Sequence, residues 1–222
     1  MTPRTLFIGD VHGCAEELDA LLNVCGHRQG ERVVLVGDLV AKGPDSAGVV
    51  RRARERGMLA VRGNHDEHVL RWRAGKMPKG KKLKPEHKQV LETLTDEDWE
   101  YLESLPWHRH FPELNVRVVH GGLVPGVALE EQDPALMLNL RSITPQGEPS
   151  KKLEDGVPWA SLWKGPELVI FGHDALRGVQ RYPYAIGLDS GCVYGRRLTA
   201  YVLPDDRFYS VEAKRVYMDL DG

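Results

Sequence analysis

Five short segments of this chain join an apolar run to a glycine and to side chains that bind metal ions. They lie at residues 8–13, 36–40, 62–66, 119–122 and 171–173. Their polar members are carboxylates, an amide and imidazoles, a mixture that suits borderline divalent ions such as manganese, iron or zinc. Two such ions that share a carboxylate form an effective centre for splitting phosphate esters. The segments therefore predict a fold that gathers distant loops around a pair of metal ions.

Composition sets modest limits on the class of protein. With 222 residues, 41% of them hydrophobic, the chain is long enough to bury a core as one domain or as one domain with a small insertion. The net charge of −2 gives no overall basic field that would favour nucleic acid. Electrostatics of the whole chain therefore identify no partner.

The cysteines and the N-terminal residues bear on location. Cys14, Cys25 and Cys192 are odd in number and lack C-x-x-C spacing, which fits a reducing cytosol better than a disulfide framework. The N-terminus has no basic stretch followed by an apolar signal core, and no run approaches the roughly 20 apolar residues that span a bilayer. We therefore expect a cytoplasmic protein that is not inserted in a membrane and has no obligate protein partner.

Alternating strand-like and helical patterns predict an α/β fold. Runs at 4–9, 32–37 and 58–62 indicate strands separated by helical stripes, and such a βαβαβ opening forms a largely parallel sheet. Two further buried strands are expected at 116–119 and 168–171. The tail is strand-like again at 185–188, 198–203 and 207–211, with a turn at 204–206. A mixed sheet or a second sheet is therefore predicted.

One stretch is less typical of a core than the rest. We treat residues 1–222 as a single domain with a small lysine-rich helical insertion at about 71–105, which becomes helical after a candidate cap at Thr95. Its basic side chains would attract a polyphosphate or the 5′ end of RNA, although a charge run is more often a solvated face. They are Arg71, Arg73, Lys76, Lys79, Lys81, Lys82, Lys84 and Lys88.

Polar side chains directly follow the predicted strands. The carboxyl ends of strands in an open α/β sheet are where ligands bind, so residues far apart in sequence converge there. A single histidine or aspartate at such a position is usually a packing or turn residue, but five together point to a site. The five are Asp10, Asp38, Asn64, His120 and His173.

The motifs, in this order, resemble those of the calcineurin-like metallophosphoesterases, in the branch that includes the phosphoprotein phosphatases and the symmetrical diadenosine tetraphosphatases. They read GDVHG at 9–13, GDLVAKGPDS at 37–46, RGNHD at 62–66, VVHGGLVPG at 118–126 and FGH at 171–173. The stretch LDSGCVYGRRLTAY at 188–201 is more similar to the tetraphosphatases than to the protein phosphatases. The resemblance implies a four-layer sandwich, with two mixed β-sheets flanked by helices and two metals at one edge.

The resemblance also implies which residues bind metal. Six positions match the family's ligands: Asp10, His12, Asp38, Asn64, His120 and His173. The first three would hold one ion and the last three the other, and Asp38 would bridge both, because a carboxylate has two oxygens to share. A hydroxide that bridges the ions would attack phosphorus in line with the leaving group. The family implies manganese, while iron, zinc and cobalt also suit these ligands.

His65 and Asp66, which follow Asn64 in the RGNHD motif, are the candidate catalytic groups. By the same resemblance His65 would protonate the departing oxygen and would not bind metal, the alternative being a supporting hydrogen bond. In the protein phosphatases an Asp pairs with this histidine from the position of Ala41, which cannot do so; Asp66 is the remaining candidate for orienting His65. A phosphate leaving group, with a second pKa of about 6, needs less protonation than an alkoxide. The departure at Ala41 therefore favours anhydride cleavage.

Three further residues are candidates for binding substrate phosphate. Lys42 stands where the family often has arginine, and Arg141 matches a second phosphate-binding arginine. A lysine holds phosphate as a mobile point charge, without the bidentate geometry of arginine. A surface position or a structural ion pair is the alternative for both. Tyr194 either closes the pocket or is an ordinary strand-end tyrosine.

These residues together predict a metal-dependent hydrolase of dinucleoside tetraphosphates, which would convert diadenosine tetraphosphate into two ADP. The symmetric products follow from the resemblance alone. Three alternatives stay open: a serine/threonine protein phosphatase of the same fold, an enzyme that removes nucleotide caps from RNA 5′ ends, and a non-catalytic sensor of dinucleotides. The presence of His65 with a complete ligand set argues against the sensor, because binding alone needs no pair of ions that generates a nucleophile.

Overall fold

The structure, a computed structural model, describes residues 4–219. Helices and strands alternate in the first third of the chain, as the sequence pattern predicts. The helices are α1 (Ala15–Val24), α2 (Ser46–Glu55), α3 (Asn64–Arg73), α4 (Pro85–Thr93), α5 (Asp96–Glu103), α6 (Pro134–Met137) and α7 (Trp159–Leu162), with short 3₁₀ turns at Pro112–Leu114 and Leu129–Glu131. Among the described residues, no helix has both the length and the apolar character needed to cross a bilayer.

The strands form two five-stranded sheets and one small sheet. They are β1 (Thr5–Ile8), β2 (Arg32–Leu35), β3 (Leu59–Ala60), β4 (His108–Phe111), β5 (Val116–Val119), β6 (Ser142–Ile143), β7 (Pro149–Ser150), β8 (Val157–Pro158), β9 (Leu168–Phe171), β10 (Gln180–Tyr182), β11 (Ala185–Gly187), β12 (Arg197–Leu203) and β13 (Arg207–Glu212). The first sheet has the order β13-β12-β1-β2-β3, the second β10-β11-β9-β5-β4, and the small one β7-β6-β8.

Each large sheet is mixed: antiparallel pairing lies at one side of the first sheet and at both edges of the second. In the first sheet β1, β2 and β3 are parallel to one another, β12 pairs antiparallel with β1, and β13 pairs antiparallel with β12. In the second, β5, β9 and β11 are parallel, while β4 and β10 are antiparallel. The strands predicted in the tail and the turn at 204–206 are confirmed, and so is the second sheet.

The two large sheets pack face to face, which explains the continuous apolar runs of their central strands. Successive side chains of a strand point to opposite faces. In β1, Phe7 therefore belongs to the cluster between the sheets, whereas Leu6 and Ile8 belong to the cluster beneath the helices α1, α2, α3, α4 and α5. A third cluster, which includes Trp159 and Phe171, covers the outer face of the second sheet. The predicted four-layer arrangement is confirmed.

The segment predicted as a helical insertion holds α4 and α5. Thr95 caps α5, its side chain accepting from the backbone N–H of Asp98, as the sequence predicts. Val90, Trp99 and Leu102 from these helices are buried in the same cluster as α1 and α2. The second half of the segment thus contributes to the main core, while the lysine-rich residues before α4 lie exposed next to the site.

Candidate active site

The carboxyl ends of five strands meet at one edge of the sandwich. The parallel strands β1, β2 and β3 of the first sheet bring Asp10, Asp38 and Asn64 to this edge, each within four residues of its strand. From the second sheet, β5 brings His120 and β9 brings His173. Because parallel strands end at the same side of a sheet, residues up to 163 positions apart, such as Asp10 and His173, are in hydrogen-bond contact.

Three of the predicted ligands occupy the left-handed backbone region that few residues other than glycine adopt. The φ angles are 45° at His12, 49° at Asp38 and 69° at His173. Hydrogen bonds compensate for this strain: the His12 N–H donates to the carbonyl of Asp38 at 2.8 Å, and the His173 N–H donates to the Asp10 carboxylate at 3.1 Å. Strained backbone of this kind clusters at functional sites, where the surrounding structure holds it in place.

Two glycines permit the close packing of these loops. A Cβ atom on Gly63 would lie 2.2 Å from Asp38 Oδ1, and a Cβ on Gly172 would lie 2.0 Å from Asp10 Oδ1. Both distances are far below van der Waals contact. The glycines of the RGNHD and FGH motifs therefore make room for the two carboxylates.

Asp38 lies at the centre of the cluster. Two groups of side chains have ligand atoms within 4.8 Å of one another, one formed by His12, Asp38 and His65 and the other by Asp10, Asp38 and His120. Asp38 belongs to both groups, in line with the bridging role that the sequence predicts. The groups place Asp10 beside His120 and add His65 to the first group, so the division of ligands between two ions stays a prediction.

Distances between donor atoms fit a metal coordination shell. Two ligands bound to one ion at about 2.1 Å lie about 3.0 Å apart at a right angle and about 3.4 Å apart at the tetrahedral angle. Asn64 Oδ1 is 2.9 Å from His120 Nε2 and 2.9 Å from His173 Nδ1. Asp38 Oδ2 is 3.4 Å from both His12 Nε2 and His120 Nε2. The residues present thus suit divalent ions in number, chemistry and spacing.

Backbone carbonyls set the orientation of two imidazoles. His12 Nδ1 donates to the carbonyl of Val40 at 3.1 Å, and His120 Nδ1 donates to that of Val36 at 2.9 Å. A carbonyl only accepts, so the proton is held on Nδ1 and Nε2 is left to face Asp38. Fixing the second ring nitrogen in this way is how proteins orient histidine ligands.

The charges of the cluster favour a bound cation. Although burial alone would raise it, the pKa of Asp38 is lowered well below its usual range by His120, His65 and His12. Burial and the neighbouring Asp189 carboxylate raise the pKa of Asp10. Burial disfavours a charged His120, yet the carboxylates of Asp38 and Asp10 raise its pKa to about 10. Without metal, a proton on His120 therefore supplies positive charge that a bound cation would supply instead.

His65 stands at the edge of the cluster, where its ring makes a T-shaped contact with that of His12 at 5.0 Å between centroids. Burial, with the positive charge of Lys42 adding to it, lowers the pKa of His65 well below its usual range. Its Nδ1 is 3.1 Å from Nε2 of His87, which belongs to α4. His87 is buried, and its ring stacks parallel to that of His65.

The expectation that Asp66 orients His65 is corrected. The side chain of Asp66 is fully buried and accepts from the backbone N–H groups of Gly63, Leu39 and Val40 at 2.9–3.2 Å. Burial and the Asp38 charge raise the pKa of Asp66 to about 7. Asp66 therefore joins the loop after β2 to the start of α3. The group beside His65 Nδ1 is His87, contributed by the segment predicted as an insertion.

The predicted phosphate-binding residues surround a cavity of about 270 Å³ over the cluster. Lys42 Nζ lies 3.3 Å from His12 Nε2 and donates to the hydroxyl of Tyr194 at 2.9 Å. Arg141 enters from the other side, donating to the carbonyls of His173 and Lys151 at 3.1 Å. Lys42, Arg141 and Tyr194 are all brought to the cavity, although their contact with phosphate stays a prediction.

Sequence reasoning missed three residues near the cluster. Asp189 follows β11 in the same way as the predicted ligands follow their strands, is buried and lines the cavity, so the strand-end rule would have found it. Asn139 also lines the cavity, but it lies in a loop with no strand pattern. His87 carried no signal in the sequence, because only the packing of α4 against α3 brings it to His65.

A model of the calcineurin-like phosphoesterases matches residues 3–207 of the sequence. The chain belongs to the calcineurin-like phosphoesterase family. Members of this family are metal-dependent phosphohydrolases with a dinuclear divalent metal centre, and the cluster around Asp38 fits such a centre. The residues of the five motifs are thus found together in the fold that their resemblance implies.

Relatives of this phosphoesterase carry tetraphosphatase names of two kinds. The asymmetrical bis(5′-nucleosyl)-tetraphosphatase PrpE of Oceanobacillus iheyensis is 28% identical, with 95% of this chain and 93% of the relative covered. The symmetrical bis(5′-nucleosyl)-tetraphosphatase of Aromatoleum aromaticum is 29% identical, with 93% and 96% covered. The chain is therefore similar to both kinds over nearly its whole length.

Solved structures agree on the fold. A crystal structure of a candidate diadenosine tetraphosphatase is 39% identical, covers 96% of this chain and 95% of its own, and superposes with a TM-score of 0.87. A serine/threonine phosphatase from Saccharomyces cerevisiae superposes with a TM-score of 0.63 at 16% identity, with 97% of this chain and 81% of that chain covered. The second likeness concerns the fold alone.

Proposed function

We propose that this phosphoesterase hydrolyses dinucleoside tetraphosphates such as diadenosine tetraphosphate. The observation that carries the proposal is the buried ligand cluster centred on Asp38, which opens into a cavity flanked by Lys42 and Arg141. Metal ligands beside two cationic side chains suit a substrate with several phosphates in a row. The tetraphosphatase names of relatives across the whole chain support the same substrate class.

The six predicted ligands would hold two divalent ions, for which we propose manganese. Bound ions of this kind lower the pKa of water and neutralise charge on the phosphoryl group. The chain's own residues prepare the site before any ion binds. The carbonyls of Val40 and Val36 fix the rings of His12 and His120, and Asp38 accepts the backbone N–H of His65 at 2.8 Å.

Lys42 and Arg141 would neutralise the phosphates on either side of the scissile bond, and Tyr194 would hold Lys42 in place through its hydroxyl. His65 would donate a hydrogen bond to the departing oxygen, with its ring fixed by His87. Because burial lowers its pKa, the His65 ring is neutral near pH 7 and carries no extra proton to transfer to the departing oxygen. A phosphate leaving group, with a second pKa of about 6, can depart with only a hydrogen bond from His65, whereas a serine alkoxide must receive a proton as it leaves.

The same reasoning disfavours the protein phosphatase alternative. Ala41 has no side-chain group that could pair with His65, and Asp66 is engaged by backbone N–H groups. Removal of RNA caps also cleaves an anhydride and stays open as a side activity. We propose symmetrical cleavage into two ADP, although relatives of both specificities are similar to this chain, and we propose a cytoplasmic location from the three free cysteines.

The test is a product analysis with manganese-supplemented enzyme. Diadenosine tetraphosphate, a phosphoserine peptide and a capped RNA are supplied at equal concentration, and nucleotides are separated by ion-exchange chromatography. We expect ADP as the sole product from the dinucleotide, at a kcat/KM at least tenfold above that for the other two substrates. Formation of AMP and ATP would mean that cleavage is asymmetrical. A higher kcat/KM for the phosphoserine peptide would overturn the proposal.

A further inference from the structure

A second groove joins the metal cavity. It has a volume of about 380 Å³ and shares Lys42, His65 and Tyr194 with the cavity over the ligand cluster. Its outer wall comes from the loop before α4, which contributes Lys81, Lys82 and Lys84. The volume is in the range of small-molecule sites in proteins. A ligand can therefore extend from the metal cluster into the groove without leaving the protein surface.

The lysines of this groove are mostly free of acidic partners. Among the described residues, Lys81 and Lys82 have no carboxylate within 4 Å, and Lys84 is 3.9 Å from Glu86. Burial, followed by the positive charge of Lys81, lowers the pKa of His68 on the inner wall. The charge of the loop is thus directed into the groove, where Glu86 and Asp219 only partly offset it. An unpaired group of cations beside a phosphoryl-transfer site suits an anionic ligand.

His65 fixes which part of a substrate the groove would receive. This residue, the predicted donor to the leaving oxygen, lines both the cavity and the groove. The group that departs from phosphorus must therefore lie on the groove side of the metal cluster. In a dinucleoside tetraphosphate that group is a nucleotide with its own phosphates.

Resting on the proposed function, we propose that Lys81, Lys82 and Lys84 form a binding site for the phosphates of the leaving nucleotide. The groove has the volume of a small-molecule site, about 380 Å³, which favours a short polyphosphate over an RNA strand. The other lysines of the same segment, Lys76, Lys79 and Lys88, do not line the groove.

The test compares two triple variants with matched charge changes. One carries Lys81→Ala, Lys82→Ala and Lys84→Ala; the control carries Lys76→Ala, Lys79→Ala and Lys88→Ala. The manganese-loaded enzymes are assayed with diadenosine tetraphosphate and with bis(p-nitrophenyl) phosphate, which has no polyphosphate. Inorganic tripolyphosphate is measured separately as an inhibitor of the artificial substrate.

We expect the groove variant to lower the ratio of kcat/KM for the tetraphosphate to that for the artificial ester at least tenfold. Its inhibition constant for tripolyphosphate should rise at least tenfold, whereas the control should change both values less than threefold. Equal effects of the two variants would mean that the lysines act only through the overall positive charge of the segment, and this would overturn the proposal. Capped RNA is assayed with both variants in the same way, and a larger loss with it than with the dinucleotide would overturn the proposal in favour of RNA.

Failure of the groove and failure of the proposed function give different results. If the enzyme leaves diadenosine tetraphosphate intact, the proposed function fails, and the tripolyphosphate measurement still decides whether the lysines bind phosphate. If the enzyme cleaves the dinucleotide but both variants bind tripolyphosphate as the parent does, the function stands and the groove proposal fails.

Discussion

Replacing Gly172 by alanine should disable the metal centre, although no predicted ligand is itself substituted. The added Cβ would lie 2.0 Å from Asp10 Oδ1 and 2.8 Å from a methyl group of Val36. A relaxed C···O contact is about 3.3 Å, so the carboxylate must retreat by about 1.3 Å. Metal–oxygen bonds of about 2.1 Å tolerate deviations of only about 0.2 Å. Asp10 should therefore be lost as a ligand.

We expect the bound metal to fall from two ions per chain towards one. A misplacement of about 1 Å in a catalytic site can lower the rate about 100-fold, and we expect a loss of that order in kcat/KM. Metal content is measured by inductively coupled plasma mass spectrometry after gel filtration, and activity is measured with diadenosine tetraphosphate.

Gly156→Ala is the matched control. Its Cβ would lie 1.9 Å from the carbonyl oxygen of Ile143 in the small sheet, and it contacts none of the predicted ligands. This variant should lose stability while keeping two ions per chain. If Gly172→Ala kept both ions and activity within threefold of the parent, the role assigned to Asp10 would be wrong.

Three further predictions address individual groups. His65→Ala should lower kcat at least tenfold with metal content unchanged, and loss of an ion, measured by mass spectrometry, would make His65 a ligand instead. His87→Ala should lower kcat with little change in KM, because His87 positions the ring of His65; a change confined to KM, seen in steady-state kinetics, would contradict this. The third concerns pH. In the metal-free protein the pKa of His120 is raised from 6.5 to about 10, so protonated His120 stabilises the folded state. This stabilisation is complete below pH 6.5, the pKa of His120 in the unfolded chain, and is lost as the pH rises through 10. The free energy of unfolding of the metal-free protein should thus fall by about 3 kcal/mol from pH 7 to 9. Urea titrations in EDTA and in manganese chloride should show this fall in EDTA alone, and parallel behaviour in both would refute it.

The ligand cluster could be predicted from sequence because its members obey one rule. Asp10, Asp38 and His120 each follow an apolar run that forms a central strand, and parallel strands end at the same edge. Asp189 obeys the rule as well, but the run before it was assigned to the tail of the fold. The rule identifies which residues converge, and the positive φ of Asp38 appears only in the structure.

Interactions between helices could not be predicted in the same way. His87 reaches His65 across 22 positions because α4 packs on α3, and no pattern in the polar segment between them sets that packing. The sequence predicts that Asp66 orients His65, yet its carboxylate satisfies backbone N–H groups of the loop after β2. Strand β4 was missed because three of its four residues are His108, Arg109 and His110, at the edge of its sheet.

The central claim is that Asp38 bridges two metal ions held by distant strand ends. Crystals of the manganese-loaded protein, measured at the manganese absorption edge, test it most directly. Our account predicts two anomalous peaks about 3.5–4 Å apart, with one carboxylate oxygen of Asp38 in contact with each ion or shared between them. A single peak, or two peaks away from Asp38, would contradict it.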